Sequence, residues 1–223
     1  MPGGGVAKRP LHLFILADCS GSMTEQGKIQ ALNTAVEELL AHLAQAAQEN
    51  VHADILVRAL AFSTGCVWHV GSPTSPTDLR WPALRAGGTT DLGAALRELA
   101  TQLDSPPMDQ RAFPPAVVLI SDGHPTDDVD AGLMAFATSM WGPKAQRFAV
   151  AIGPDADRTM LSRFVDDPEI RVLDAWNAQE LKDMLQYVST AVVRGSLLAE
   201  GQSKKILLPP PPVSADHLGD TWV

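Results

Sequence analysis

In the run Asp18-Cys19-Ser20-Gly21-Ser22 a carboxylate and two hydroxyls recur at every second residue. Alternating positions in a loop that turns from a strand into a helix can aim three oxygens at one point, and Gly21 lets the backbone bend sharply there. Two further stretches carry oxygen donors of the same kind. Gly87-Gly88-Thr89-Thr90-Asp91 offers a hydroxyl on a glycine-hinged loop, and Ser121-Asp122-Gly123 offers a carboxylate. Hydroxyl and carboxylate oxygens are hard ligands, suited to Mg²⁺, Mn²⁺ or Ca²⁺. No Cys/His cluster of the zinc kind is present. Each residue also has a plainer reading. Ser20, Ser22, Thr90 and Asp122 are all residue types that cap helix N-termini, and a helix follows each of them. Cys19 reads as a small buried residue, Cys66 as core, and His124 as an exposed loop residue beside the site. Asp127, Asp128 and Asp130 read as an acidic helix start favoured by the helix dipole.

The elements around these loops follow from apolar patterning. Leu11–Ala17 is a nearly continuous apolar run, the mark of a strand buried on both faces. Ile29, Leu32, Val36, Leu39, Leu40 and Leu43 fall on one helical face. Ala53–Phe62 and Cys66–Val70 read as strands joined through Ser63-Thr64-Gly65 into a hairpin. Gly71–Ala86 is a loop, and Leu92, Ala95, Leu96, Leu99 and Leu103 stripe a second helix. Ala116–Ile120 is another doubly buried strand. Val129, Leu133, Phe136, Ala137 and Met140 mark a third helix, and Phe148–Ile152 a strand. A short helix at Thr159–Val165, a strand at Arg171–Leu173 and a helix through Leu181, Met184, Leu185, Val188 and Val192 complete the series. Strands alternating with helices predict an α/β fold, Rossmann-like and doubly wound, with a mostly parallel sheet flanked by helices. In such sheets ligands bind beyond the C-terminal strand ends where strand order reverses. Asp18 and Asp122 each follow a strand and are candidates to flank that point.

The motifs DxSGS, GGTTxLGxAL and SDGxPTD, in this order, resemble the metal-ion-dependent adhesion site (MIDAS) of von Willebrand factor A (VWA) domains. The resemblance covers roughly residues 10–195. It implies a metal site at Asp18, Ser20, Ser22, Thr90 and Asp122 in which the serines and the Thr bind the ion directly or nearly so and the two Asp often act through water, with Thr90 preferred to Thr89 because it keeps the family's distance to Leu96. It implies a cation, Mg²⁺ first and Mn²⁺ or Ca²⁺ as alternatives, whose open position takes a Glu or Asp from a protein partner. Within the family the chain looks most like the bacterial TerY-like proteins of tellurite-resistance and stress gene clusters. By that resemblance the partner is a kinase or a PP2C-type phosphatase of the same cluster. Asp91, Asp127 and Asp128 would then surround the site and repel an acidic partner until the ion is present.

Composition narrows the remaining classes. The 223 residues carry a formal net charge of −9, which argues against nucleic acid and against an anionic membrane surface as partner. No run approaches the ~20 apolar residues that span a bilayer. Two cysteines form no disulfide framework, and residues 1–9 hold no signal-peptide core, which together read as a cytoplasmic protein. Asp18 after a buried strand also resembles a haloacid-dehalogenase-like phosphatase, but that chemistry needs a second Asp where Ser20 stands. A Cys19–His124 nucleophile pair lacks an orienting group. A hydrolase and a scaffold with a structural metal are the alternatives to a binding module. Residues 196–223, with Pro209–Pro212, read as a tail without a core of its own, either detached or lying extended on this or another molecule. Truncation at Gly195 is expected to leave the melting temperature nearly unchanged.

Overall fold

The computed structural model describes residues 8–198 and Trp222. Its strands are β1 (Arg9–Asp18), β2 (Ala53–Ser63), β3 (Gly65–Thr74), β4 (Ala116–Ser121), β5 (Gln146–Ile152) and β6 (Leu173–Ala175). Its helices are α1 (Lys28–Glu49), α2 (Leu92–Gln102), α3 (Val129–Thr138), α4 (Arg158–Val165) and α5 (Ala178–Leu198). The strands form one sheet in the order β3-β2-β1-β4-β5-β6. All neighbours are parallel except β2 and β3, the expected hairpin. The predicted fold class is therefore the observed one.

Parallel neighbours require crossovers, and here helices provide them. From β1 the chain passes through α1 to β2 on one side. After the β3 hairpin it returns through α2 to β4 on the other side of β1. The strand order thus reverses between β1 and β4, and both strands end at the candidate oxygen donors.

The central strands are buried on both faces, and alternate residues feed two cores. Leu13 and Ile15 of β1, Val118 and Ile120 of β4, and Val150 and Ile152 of β5 pack with α1 and α5. Phe14 and Leu16, Val117 and Leu119, and Ala149 and Ala151 pack with α2, α3 and α4. Burying each large side chain contributes roughly 1.5–3 kcal/mol, so the strands carrying the site loops are anchored by the core on both faces.

Some sequence expectations shift. β6 begins at Leu173, where Arg171–Leu173 was expected. The third helix stops at Thr138. Ala137 faces solvent and Met140 is exposed, because Val129, Gly132 and Phe136 form the buried stripe instead. A 3₁₀ segment, Gly21–Gly27, precedes α1. α5 continues to Leu198, three residues past the expected boundary. Leu207-Leu208 and the proline run lie outside the described residues. Trp222 does not: it is 3% exposed and belongs to the α1/α5-side core. At that residue the tail lies on this molecule. A cut at Gly195 removes this core indole and the last turn of α5, so a fall in melting temperature replaces the expected indifference to truncation.

Candidate metal centre

The three oxygen-bearing loops are tied into one unit by hydrogen bonds between each pair. Between the first loop and the glycine loop, Gly87 N–H donates to Cys19 O at 2.8 Å and Gly21 N–H to Gly88 O at 3.0 Å. Between the glycine loop and the loop after β4, Thr126 N–H donates to Thr90 O at 2.9 Å and Thr90 N–H to Thr126 Oγ1 at 3.1 Å. Between the first loop and the loop after β4, Ser121 Oγ donates to Asp18 Oδ2 at 2.6 Å and Ser22 Oγ to Asp122 Oδ1 at 2.6 Å. Two glycines make the lacing possible. Gly88 has φ +88°, and a β-carbon there would stand 2.6 Å from Thr64 Oγ1. Gly21 serves close approach, because its β-carbon would meet Gly88 O at 3.3 Å.

All five expected residues converge. Asp18, Ser20, Thr90 and Asp122 are buried, and Ser22 is half-buried. Asp18 Oδ1 accepts Ser20 N–H at 2.8 Å, and Ser20 Oγ lies 3.1 Å from Ser22 Oγ. A β-carbon on Gly123 would stand 3.5 Å from Ser22 Oγ and 3.7 Å from Thr90 Oγ1, so both hydroxyls border the small space this glycine leaves open. The capping alternatives do not hold. Ser20, at the N-cap of the 3₁₀ segment, makes no side-chain cap bond. The N-cap of α2 is Asp91, and α3 is capped by Asp128, which accepts Ala131 N–H. Thr89, the neighbour rejected on spacing, is exposed and spends its hydroxyl on Ser63, Thr64 and Asp91.

Ser20, Ser22 and Asp122 have the chemistry and the spacing to share a small hard cation. Oxygens sharing an octahedral Mg²⁺ at 2.0–2.1 Å stand about 2.9 Å apart along each edge. The Ser20–Ser22 and Ser22–Asp122 separations, 3.1 and 2.6 Å, bracket that spacing. The donor set is hydroxyl-rich. Among the described residues no three His, Cys, Asp or Glu side chains group as a metal site.

Sequence reasoning missed three contributors. Lys28, only 5% exposed, donates to Asp122 Oδ2 at 2.7 Å and forms a buried ion pair. The signal available was a lysine at the first position of α1, where the helix dipole disfavours a cation. Ser121 anchors Asp18, and Thr126 anchors Thr90. Burial pushes the Asp18 carboxyl up from its ordinary value. The bonds from Ser121 and Ser20 oppose the shift, and the nearby Asp122 charge adds to it.

The surrounding groups have local duties. Asp91 accepts Gly65 N–H at 2.7 Å, which holds its carboxyl low, and takes hydroxyls of Thr126 and Thr89. Asp127 accepts Gly93 and Ala94 N–H at 2.8 and 2.7 Å, anchoring the start of α2 rather than of α3. Asp130 pairs with Arg163. His124 is exposed and lies 3.1 Å from Asp157. Cys19 is buried as expected, its thiol pushed up to about 12 by burial and then by the Asp18 charge. Cys66 is only partly buried, at the edge of the α2-side core.

An α/β domain whose switch point gathers hydroxyls and carboxylates from three loops defines a narrow class. The chain belongs to the von Willebrand factor type A domain family, whose model matches residues 12–187. Comparison with curated proteins gives no match. Similar solved structures include the von Willebrand factor type A protein of Catenulispora acidiphila, at 17% identity and TM-score 0.64, with 84% of this chain and 43% of that one covered. The pilus adhesin SpaC of Lactobacillus rhamnosus GG in its open conformation gives 15% identity and TM-score 0.67, covering 85% and 30%. Proximal thread matrix protein 1 of the mussel byssus, with a zinc-occupied MIDAS motif, gives 18% identity and TM-score 0.61, covering 83% and 48%. The chain spans less than half the length of each. Among the described residues no helix is long and apolar enough to cross a membrane.

Proposed function

We propose that the domain is a metal-dependent protein-binding module in which Asp18, Ser20, Ser22, Thr90 and Asp122 hold a divalent cation, Mg²⁺ first and Mn²⁺ or Ca²⁺ as alternatives. The observation that carries this reading is the meeting of the five residues on three laced loops, with Ser22 Oγ 3.1 Å from Ser20 Oγ and 2.6 Å from Asp122 Oδ1 and with Ser22 and Thr90 bordering the space beside Gly123. Family membership and the zinc-occupied MIDAS of the mussel protein support it. When bound, the ion supplies a Lewis-acidic position for the carboxylate of a partner's Glu or Asp.

The chain's own residues set the conditions. Ser20, Ser22 and Thr90 contribute neutral oxygens, so the charge of the cation is not cancelled by its ligands. Ser121 and the Ser20 N–H fix Asp18, while Ser22 and Lys28 fix Asp122. The pairing of Asp122 with Lys28 leaves one carboxylate, Asp18, without a cationic partner. That site recruits a cation but retains affinity for a further anion. Catalysis has no comparable support: Cys19 is buried with a raised thiol, and Ser20 stands where a phosphatase needs its second Asp. The reading extends to a cytoplasmic module of the TerY-like kind, acting in a stress or defence complex with a kinase or PP2C-type phosphatase.

Titration calorimetry with MgCl₂ on the wild type, Asp18→Ala and Thr90→Ala tests the site. Heat is expected for the wild type and a loss of binding for both variants, with unchanged far-ultraviolet dichroism. Equal heats from all three would refute it. A co-purified partner must be released by EDTA and recovered with Mg²⁺; retention in EDTA would leave the scaffold reading in its place.

A further inference from the structure

Trp222 and Lys28, the partner of Asp122, are 194 positions apart in the chain, yet both border the same space at Gly153. The space where a β-carbon would stand on Gly153, just past the end of β5, is bounded by Lys28 Cε at 3.8 Å and Trp222 Cζ2 at 3.9 Å. Trp222 is 3% exposed and shares its core with Ile29, Ile152, Ala175 and Leu181. The floor of this socket is fixed. Gly153, at φ +75°, donates its N–H to Ala175 O at 2.8 Å. Arg158 donates to the carbonyls of Gly153, Pro154 and Ala156 at 3.0–3.2 Å and to Asp174 at 2.7 Å. The socket and the oxygen cluster both lie beyond the C-terminal strand ends, and Lys28 belongs to both.

We propose that Trp222 is a ligand of its own domain, and that its docking at Gly153, next to Lys28, is coupled to the metal centre through the Lys28–Asp122 pair. The coupling rests on the metal reading above; the socket does not. An indole that borders the same space as the lysine stem excludes water from it, and a drier setting strengthens the Lys28–Asp122 attraction. Asp122 is then held by Lys28 and is less available to a cation. Removing the indole admits water, screens the pair and frees Asp122. Cation binding and Trp222 docking therefore oppose one another, and by linkage the opposition is reciprocal. A partner that captures Trp222 raises the domain's affinity for its cation.

Five tryptophans allow a direct test. The full chain is labelled with 5-fluorotryptophan, the Trp222 resonance is assigned by Trp222→Phe, and MgCl₂ is titrated. Trp222 is expected to show the small solvent isotope shift of a buried indole and to move on Mg²⁺ addition. Trp141, which precedes β5 at the opposite end of the sheet, is expected to stay still. Calorimetry on Trp222→Ala, or on Trp222→Phe if the alanine variant fails to fold, is expected to show Mg²⁺ binding several-fold tighter than in the wild type. A full solvent isotope shift at Trp222 would overturn the socket. A buried Trp222 that ignores saturating Mg²⁺, with equal affinities in wild type and variant, would overturn the coupling. Absence of Mg²⁺ binding by the wild type would overturn the metal reading and the coupling together, leaving the isotope shift to judge the socket.

Discussion

Replacing Lys28 with Met separates the two cations that Asp122 is positioned to serve. The substitution keeps the apolar stem and removes the ammonium, leaving Asp122, 1% exposed, among the described residues with its side-chain bond from Ser22 Oγ at 2.6 Å. Breaking a buried ion pair from one side costs about 3–5 kcal/mol, and the surviving Ser22 bond places this case near 3. For a chain of this size 1 kcal/mol moves the melting temperature by roughly 2–4 °C, so a fall of about 6–12 °C is expected in EDTA. A cation bound beside Asp122 restores the missing positive charge. At 100 times its Kd a ligand stabilises a protein by ~2.7 kcal/mol, and the variant should gain more from Mg²⁺ than the wild type does at the same concentration. Urea unfolding of both proteins, each in EDTA and in MgCl₂, measures all four stabilities. Lys28→Met paired with Asp122→Asn removes both charges and should recover much of the loss in EDTA. Equal stabilities in EDTA would show that the pair contributes nothing to the fold. Equal Mg²⁺ increments would show that Lys28 and the cation do not share Asp122.

Gly93→Ala should cost at least ~3 kcal/mol, because its β-carbon would stand 2.1 Å from the backbone carbonyl oxygen of Asp128 and drive apart α2 and the loop that leads into α3. A steep fall in melting temperature checks this; an unchanged one refutes it. Asp157 caps α4 by accepting Met160 N–H at 3.0 Å, and that bond, then His124, holds its carboxyl below the ordinary value. A depressed folded value means the stabilisation is present above the unfolded carboxylate range, near 3.9, and is lost as pH falls through the folded value. Asp157→Ala should therefore cost about 1 kcal/mol at pH 7, with a gap from the wild type that narrows in acid unfolding experiments. Thiol labelling of the native protein should modify Cys66 alone, slowly, since burial raises its thiol as well; Cys19 should react only in denaturant. Two labelled thiols in the native state would contradict the packing of Cys19.

The legible parts of the sequence were those whose signal is local. Continuous apolar runs gave β1, β2, β4 and β5, and the tight turn at Thr64 gave the hairpin. The set Asp18, Ser20, Ser22, Thr90 and Asp122 was readable through the resemblance of its motifs to a known family, whose spacing also separated Thr90 from Thr89, while the doubly wound sheet accounts only for Asp18 and Asp122 meeting at the ends of β1 and β4. The third helix misled because Ala137 and Met140 fit its period, yet the close crossing of Gly93 and Gly132 buries a different stripe. Lys28, Ser121 and Thr126 act through partners 94, 103 and 36 residues away, and no periodicity encodes such pairings. Trp222 was hidden by its setting, since a proline-rich context reads as a tail whatever single residue packs back.

The acidic surroundings take a different meaning once each carboxylate is traced. Asp91, Asp127 and Asp128 were candidates for a free negative rim, but all three accept backbone N–H groups, and two of them do so at helix N-termini. Their charge is opposed locally by those donors and helix dipoles, and Arg97 lies 3.6 Å from Asp127. What a partner's carboxylate meets at close range is the centre itself. Ionised Asp18 and Asp122 against Lys28 leave one net negative charge, and a divalent cation converts this to one net positive charge. Beyond ~8 Å physiological salt screens either sign. The reversal is therefore felt only by a group that reaches into the space between Ser22, Thr90 and Gly123. A metal dependence that arises this way selects for a protruding acidic side chain, not for an acidic surface, and a partner's net charge should matter less than the reach of one residue.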